Sequence, residues 1–334
     1  MAKAGEIQSP YKGEDIDRRS VLKIAAGGVV GAAALGGGAA WLFDRENRPS
    51  EEQGRGMVRD YTVPDDPAYP QVVKIQGSDP SQTLSRAVEL MGGIRRFIEP
   101  GDRVAIKPNI GWDRVPKHAA NTNPLLVAAM VDMCLKAGAS EVIVTDASCN
   151  DANRAYKNSG IGEAAYNAGA RVLLPRKDRF HEMVLEGKLL KKWPVYTPLV
   201  YADKVINMAI CKHHNLTNGL TACMKNWYGI LGGQRNLLHQ DIHTSIFDLA
   251  NFMRPTLVVL DALRILVRNG PQGGSFSDTE VKNLLVVGTD QVAIDTIAAD
   301  IMGRDPRTIG FLTLSDGVLG HMDLSRIRLK DLTA

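Results

Sequence analysis

The chain has 334 residues, of which 44% are hydrophobic and 23% are charged, as is typical of a globular protein with a large core. Its 40 Lys and Arg residues against 37 Asp and Glu residues give a formal net charge of +3, and only 6% of the residues are aromatic. This near balance argues against a nucleic-acid partner, which requires clustered basic charge, and the few aromatics argue against a base-stacking platform.

The N-terminal segment 1–48 has the pattern of an export signal. Residues 17–23 (DRRSVLK) resemble the twin-arginine (Tat) motif, and the uncharged Ala- and Gly-rich run 24–43 follows them. We therefore predict export by the Tat translocase to the periplasm. The run is long enough to remain in the inner membrane as an uncleaved anchor. The alternative is a core helix or membrane span that follows Arg18 and Arg19 by chance.

Residues 49–69 are predicted to be a linker, because they are rich in Pro, Gly and charge and have no apolar period. Residues 70–334 then remain for an α/β domain. Strands are predicted at 71–76, 103–106, 141–145, 171–174, 205–210, 256–260, 283–287 and 327–329. Helices are predicted at 82–97, 124–136, 154–167, 237–253, 290–302 and 306–314, with a hairpin insertion within 177–201. This alternation predicts a mostly parallel sheet with helices on both faces, a doubly wound, Rossmann-like fold.

Polar residues stand where four of the predicted strands end. They are Lys107 and Asn109, Asp146, the run 211–214 that contains Lys212 and His214, and Asp261. Each residue alone would be a turn residue or a helix cap. Because ligands of such sheets bind beyond the carboxyl ends of the strands, the four together indicate a binding site.

The segment 207–233 (NMAICKHHNLTNGLTACMKNWYGILGG) is the richest in chemically active groups. Lys225 lies in a largely apolar run beside Trp227 and Tyr228, so we expect either a lowered pKa or an anionic partner. Such a lysine binds phosphate or carboxylate, or acts as an acid or base. The alternative is a surface lysine that only buries its stem.

Metal binding is a weaker hypothesis. Adjacent His213 and His214 point to opposite sides of an extended segment, so only one is expected to enter a site. His239 and His243 are four residues apart in a predicted helix and would share a face, but two ligands are too few for a metal centre.

Several of these motifs resemble the domain-of-unknown-function 362 family, over roughly residues 72–303. The motifs are Lys107-Pro108-Asn109, the Cys-Lys-x-His of 211–214, the Lys-Asn-x-x-Gly of 225–229, the Gly270-Pro271 turn and 290–295 (DQVAID). The family pattern has Thr at the position of His213, which favours His214 as the site histidine. Family members often carry a ferredoxin-type iron–sulfur segment, which would imply redox work. This chain has no such cysteine run, so that implication does not hold here, and the sequence identifies no cofactor.

We therefore expect an exported enzyme or redox-accessory protein that binds an anionic substrate, metal or cofactor. Its predicted catalytic residues are His214, Lys225, Asp146 and Lys107, and its predicted ligand-binding residues are Asn109, Lys212, Asn226 and Asp261. His214 would transfer protons with an Asp or hold a metal. The alternatives are a non-catalytic binding module for an anionic small molecule, a partner of a membrane redox complex, and a structural scaffold.

Overall fold

The computed structural model describes residues 59–333. The predicted signal segment and the first half of the predicted linker lie outside these residues. The strands of the described part are β1 (Arg59–Asp60), β2 (Val72–Gln76), β3 (Arg103–Pro108), β4 (Glu141–Thr145), β5 (Arg171–Leu173), β6 (Phe180–Val184), β7 (Lys192–Tyr196), β8 (Lys204–Lys212), β9 (Met253–Arg254), β10 (Leu257–Leu266), β11 (Thr279–Gly288) and β12 (Leu329–Leu332). The α-helices are α1 (Pro80–Leu90), α2 (Pro124–Ala137), α3 (Ala152–Asn158), α4 (Ile161–Asn167), α5 (Thr197–Val200), α6 (Cys223–Asn226), α7 (Ile242–Phe252), α8 (Gln291–Ile301) and α9 (Gly310–Ser315).

The central sheet has eight strands in the order β12-β2-β11-β10-β8-β3-β4-β5. All of its strands run in one direction except β11, which pairs antiparallel with both β10 and β2. Strands β10, β8, β3, β4 and β5 form a continuous parallel set. The predicted mostly parallel α/β sheet is therefore confirmed.

Apolar side chains cover both faces of the sheet. Alternate residues of one strand enter different clusters, so that Val258 packs in one layer and Val259 in the other. Helices α1, α2, α3 and α4 contribute to the layer of Val259, and α7, α8 and α9 to the layer of Val258. This two-sided burial explains why the interior strands are almost continuously hydrophobic.

Several predicted helices are shorter in the structure than their apolar period suggested. The helix predicted at 82–97 ends at Leu90, because Gly92 and Gly93 both adopt positive φ angles, of 98° and 81°. The helix predicted at 154–167 is divided into α3 and α4 at Gly160, which has φ 72°. The second half of the predicted 237–253 helix is α7, whereas Arg235–Asp241 is a 3₁₀-helix.

The prediction that a strand ends before Asp261 is wrong. Strand β10 continues to Leu266, and its pairing with β8 is irregular after Asp261. The last strand also begins later than predicted, at Leu329. The hairpin predicted in 177–201 is present as β6 paired with β7.

None of the helices between residues 59 and 333 has both the length and the apolar content needed to cross a lipid bilayer.

Candidate functional site

A cleft lies beyond the carboxyl ends of β3, β4 and β8. Its cavity volume is about 140 Å³, which is below the roughly 300–1,000 Å³ of sites for drug-sized ligands and leaves room only for a small molecule. Its walls are formed by Lys107, Asn109, Gly111, Trp112, Asp146, Ala147, Cys149, Lys212, His214, Thr221, Lys225, Asn226, Tyr228, Gly229, Arg235, His239 and Pro271. Seven of the eight predicted catalytic and ligand-binding residues are in this set.

Lys107 and Asp146 form a buried ion pair on the floor of the cleft. Lys107 Nζ lies 2.8 Å from Asp146 Oδ1, and neither side chain is more than 3% exposed. The Lys107 ammonium also donates to Asn226 Oδ1 and to the Pro108 carbonyl, each at 3.0 Å. Burial lowers the pKa of Lys107, and the Asp146 carboxylate opposes this effect. Lys107 therefore already has its anionic partner within the protein.

An asparagine at the end of α6 connects the strand ends. The Oδ1 atom of Asn226 accepts from Lys107 and, at 3.0 Å, from Asn109 Nδ2. Its Nδ2 atom donates to Asn207 Oδ1 at 2.8 Å, and Asn207 Nδ2 donates to the Cys223 carbonyl. Every polar atom of this amide is therefore satisfied by protein groups, which fixes α6 over the strand ends.

Helix α6 is also held from its other end by α8. The buried Asp295 carboxylate accepts from the backbone N–H groups of Cys223 and Met224, at 2.7 Å and 3.0 Å. Burial raises the pKa of Asp295 to about 7, against the effect of these two hydrogen bonds. Asp295 thus holds the start of the helix that carries Lys225, the residue directly after Met224, although Asp295 does not line the cleft.

Lys212 is buried among neutral acceptors. Its Nζ atom donates to Asn109 Oδ1 at 3.0 Å and to the Ala120 carbonyl at 2.5 Å, and it forms no ion pair with any residue of the described chain. Burial lowers the pKa of Lys212 to about 7. Its positive charge has no compensating carboxylate at contact distance.

Lys225 has even fewer partners. It is only 8% exposed, and its Nζ atom lies 3.6 Å from the centre of the Tyr228 ring. It makes no hydrogen bond or ion pair to another residue within 59–333. Burial, with the positive charges of Arg235 and Lys212 nearby, lowers the pKa of Lys225 to about 7. The predicted shielded lysine is present, and of its two expected consequences it shows the lowered pKa, while residues 59–333 supply no anionic partner.

Arg235 is a site residue that sequence reasoning missed. Its guanidinium donates to the Tyr228 carbonyl at 2.9 Å and to the Ser148 carbonyl at 2.9 Å, and it lies 3.4 Å from the Cys149 Sγ atom. The described cleft therefore holds three lysines and one arginine against one carboxylate, Asp146. Nothing in the local sequence distinguishes Arg235 from a surface arginine, because its neighbours are polar and it follows two glycines.

The histidines occupy different environments. His214 lines the cleft, and its Nδ1 atom accepts from the Leu216 N–H at 3.1 Å, so the proton of the neutral ring is on Nε2. Burial and the charges of Lys225 and Lys212 lower the pKa of His214 to about 3. The His214 ring stacks at 6.0 Å on His239, which also lines the cleft. His214 has no carboxylate partner among the described residues, so the expected His–Asp pair is not formed there.

Two predicted residues lie outside the cleft. Asp261 accepts from the backbone N–H groups of Asn123 and Leu263, at 2.8 Å and 3.0 Å, and thus holds the start of α2 against β10. His243 accepts from the Phe311 N–H at 3.2 Å and faces α9. Within residues 59–333, no three His, Cys, Asp or Glu side chains are grouped to hold a metal ion.

The glycine of the Lys-Asn-x-x-Gly motif makes room for the buried ion pair. A Cβ atom built on Gly229 would lie 1.8 Å from Asp146 Oδ1 and 2.6 Å from Lys107 Nζ. These distances are far below any van der Waals contact, so only glycine fits while the pair keeps its position. The spacing in the motif thus reflects the packing of α6 and the following turn on the floor of the cleft.

Comparisons with known proteins agree with the predicted resemblance. A family model described as "Domain of unknown function (DUF362)" matches residues 104–300. The chain is also similar to the "Thylakoid-associated protein sll1697" of Synechocystis sp., with 26% identity over 236 residues, which cover 68% of this chain and 71% of that protein. No solved structure shows a significant match.

Proposed function

The chain belongs to the domain-of-unknown-function 362 family, and we propose that it is an enzyme acting on a small anionic molecule held by Lys212, Lys225 and Arg235. The observation that carries this proposal is the buried, unpaired Lys225 ammonium beside a second buried lysine, Lys212, that has only neutral partners. A buried charge without a partner is costly, and a bound carboxylate or phosphate group would supply the partner.

Lys225 is the residue best suited to proton transfer. A group whose pKa is about 7 is present in both its protonated and its neutral form near neutral pH. His214 instead offers an Nε2–H donor, because its ring stays neutral, and is suited to hydrogen bonding with an oxygen of the substrate. Lys107 and Asp146 would act by holding Asn226 in place, since their charges already neutralise each other.

Proton uptake on anion binding is the sharpest test of this site. An anion stabilises the ammonium forms of Lys225 and Lys212, so binding above pH 7 should take up protons and weaken as the pH rises. Calorimetry with inorganic phosphate and with malonate, in Hepes and in Tris, should give buffer-dependent enthalpies. Lys225→Met should reduce the proton uptake. Lys136→Met, at an exposed helix position paired with Asp132, should leave it unchanged.

The proposed site would be contradicted if neither anion binds. It would also be contradicted if the binding enthalpy is the same in Hepes and in Tris. Turnover is tested separately, by incubating the protein with phosphorylated and carboxylated metabolites and following their loss by mass spectrometry. Consumption by the wild type but not by Lys225→Met supports an enzyme. Saturable anion binding without consumption of any compound would favour the alternative, a non-catalytic binding module.

We also propose that the protein is exported through the Tat translocase and stays associated with a membrane. The support is the motif at 17–23 followed by the apolar run 24–43, together with a relative that is named thylakoid-associated. Replacing Arg18 and Arg19 together by lysine should retain the protein in the cytoplasm in a fractionation assay. Unchanged localisation of the double variant would remove the export proposal.

A further inference from the structure

Cys149 differs from the other cysteines of the chain. It is exposed in the loop after β4 and lines the cleft, whereas Cys134, Cys211 and Cys223 are buried. Burial raises the pKa of the Cys134 thiol to about 12 and also raises those of Cys211 and Cys223, which makes these thiols poor nucleophiles. Among the four, only Cys149 combines access to solvent with access to the cleft.

The backbone holds Cys149 at the wall of the cleft. The Cys149 N–H donates to the Gly111 carbonyl at 2.9 Å. The Cys149 Sγ atom lies close to the same glycine, since a Cβ atom built on Gly111 would be 3.9 Å from it. Arg235 Nη2 lies 3.4 Å from Sγ, while the same guanidinium is fixed by the Ser148 and Tyr228 carbonyls. The Arg235 guanidinium is therefore held in place directly beside the sulfur.

Two further polar groups of the same cleft lack partners within the protein. The Lys225 ammonium has no hydrogen bond or ion pair within the described chain. The Thr221 Oγ1 atom is buried and has no hydrogen-bond partner among residues 59–333. Both side chains are more than nine-tenths buried and line the same cleft. Unsatisfied buried polar groups of this kind are rare, and a bound ligand would satisfy both.

We propose that Cys149 is the nucleophilic thiol of the cleft and the covalent attachment site for small anionic electrophiles oriented by Lys225 and Arg235. This inference rests on the anion binding proposed above and adds a substrate class to it. In the step, the Cys149 thiolate attacks an electrophilic carbon and an S–C bond forms. The bond from that carbon to its leaving group breaks, and the leaving group takes the electron pair. The thiol proton goes to solvent.

Charge-selective alkylation tests the proposal. Iodoacetate and iodoacetamide both lose iodide on reaction with a thiolate, but only iodoacetate is an anion. We divide the rate of Cys149 with iodoacetate by its rate with iodoacetamide. Dividing this ratio by the same ratio for free N-acetylcysteine gives a normalised ratio, which measures how strongly the cleft selects for negative charge. We expect this normalised ratio to be at least about tenfold at low ionic strength and to fall as salt is added. Mass spectrometry of proteolytic peptides locates the label.

Variants assign the effect to particular residues. Cys149→Ser should abolish rapid labelling, and Lys225→Met should lower the normalised ratio several-fold. Lys136→Met, which changes an exposed charge outside the cleft, should leave the ratio as in the wild type. Because Arg235 also holds backbone carbonyls, Lys225→Met rather than an Arg235 variant carries the test.

A normalised ratio near one, or labelling that starts at a buried cysteine, would overturn the inference. If phosphate or malonate still binds with proton uptake in that case, the proposed anion site stands and only the role of Cys149 fails. If neither anion binds and the ratio is near one, both proposals fail.

Discussion

Gly229→Ala tests the reason for the glycine in the Lys-Asn-x-x-Gly motif. The added Cβ atom would lie 1.8 Å from Asp146 Oδ1, so the carboxylate must move or the turn after α6 must shift. Either movement lengthens the 2.8 Å ion pair with Lys107, whose side chain is fully buried. Disrupting a buried pair costs about 3–5 kcal/mol, and partial relaxation of the turn reduces this cost. We expect the free energy of unfolding to fall by about 3 kcal/mol.

Gly111→Ala is the matched control for this measurement. Gly111 lines the same cleft, but a Cβ atom there would lie 3.6 Å from Asn109 Oδ1, an ordinary contact distance. Urea denaturation of the full chain, followed by tryptophan fluorescence and by circular dichroism, gives both free energies. We expect the Gly111→Ala value to stay within about 0.5 kcal/mol of the wild type. Equal stability of the two variants would refute the packing argument for Gly229.

Two other variants separate structural from functional charges. Asp261→Ala should lower the free energy of unfolding by about 2 kcal/mol, because it leaves the Asn123 and Leu263 N–H groups without their acceptor. The affinity for phosphate, measured by calorimetry, should not change. A large loss of affinity would show that Asp261 does belong to the anion site. Lys225→Met should alter the pH dependence of stability: the folded pKa of about 7 lies below the unfolded value, so the unfolded state binds more protons and wild-type stability rises between pH 7 and 10. In Lys225→Met we expect that rise to be smaller by at least about 1.4 kcal/mol, the equivalent of one pKa unit, when the free energy of unfolding is measured at several pH values. The same pH dependence in both proteins would show that folding does not lower the pKa of Lys225.

The sequence by itself determined the layered α/β architecture and much of the site. Short apolar runs locate the strands and an apolar period of 3.6 residues locates the helices, because both are local properties of the chain. Lys107, Asn109 and Asp146 could be assigned to one edge of the sheet, since parallel strands bring their carboxyl ends together. The apolar neighbours of Lys225 indicated a shielded lysine, although a surface lysine with a buried stem was the alternative.

Only the tertiary structure decided the direction of β11, because an apolar run predicts a strand whichever way that strand runs in the sheet. It also separated Asp146 from Asp261. Both follow apolar strand residues in the sequence, yet one pairs with Lys107 in the cleft and the other holds two backbone N–H groups. Arg235 reaches the cleft only in the folded chain, where its guanidinium donates to the Ser148 carbonyl. Whether a buried charge has a partner depends on residues distant in the chain, so the unpaired state of Lys225 could be seen only once those residues were placed around it.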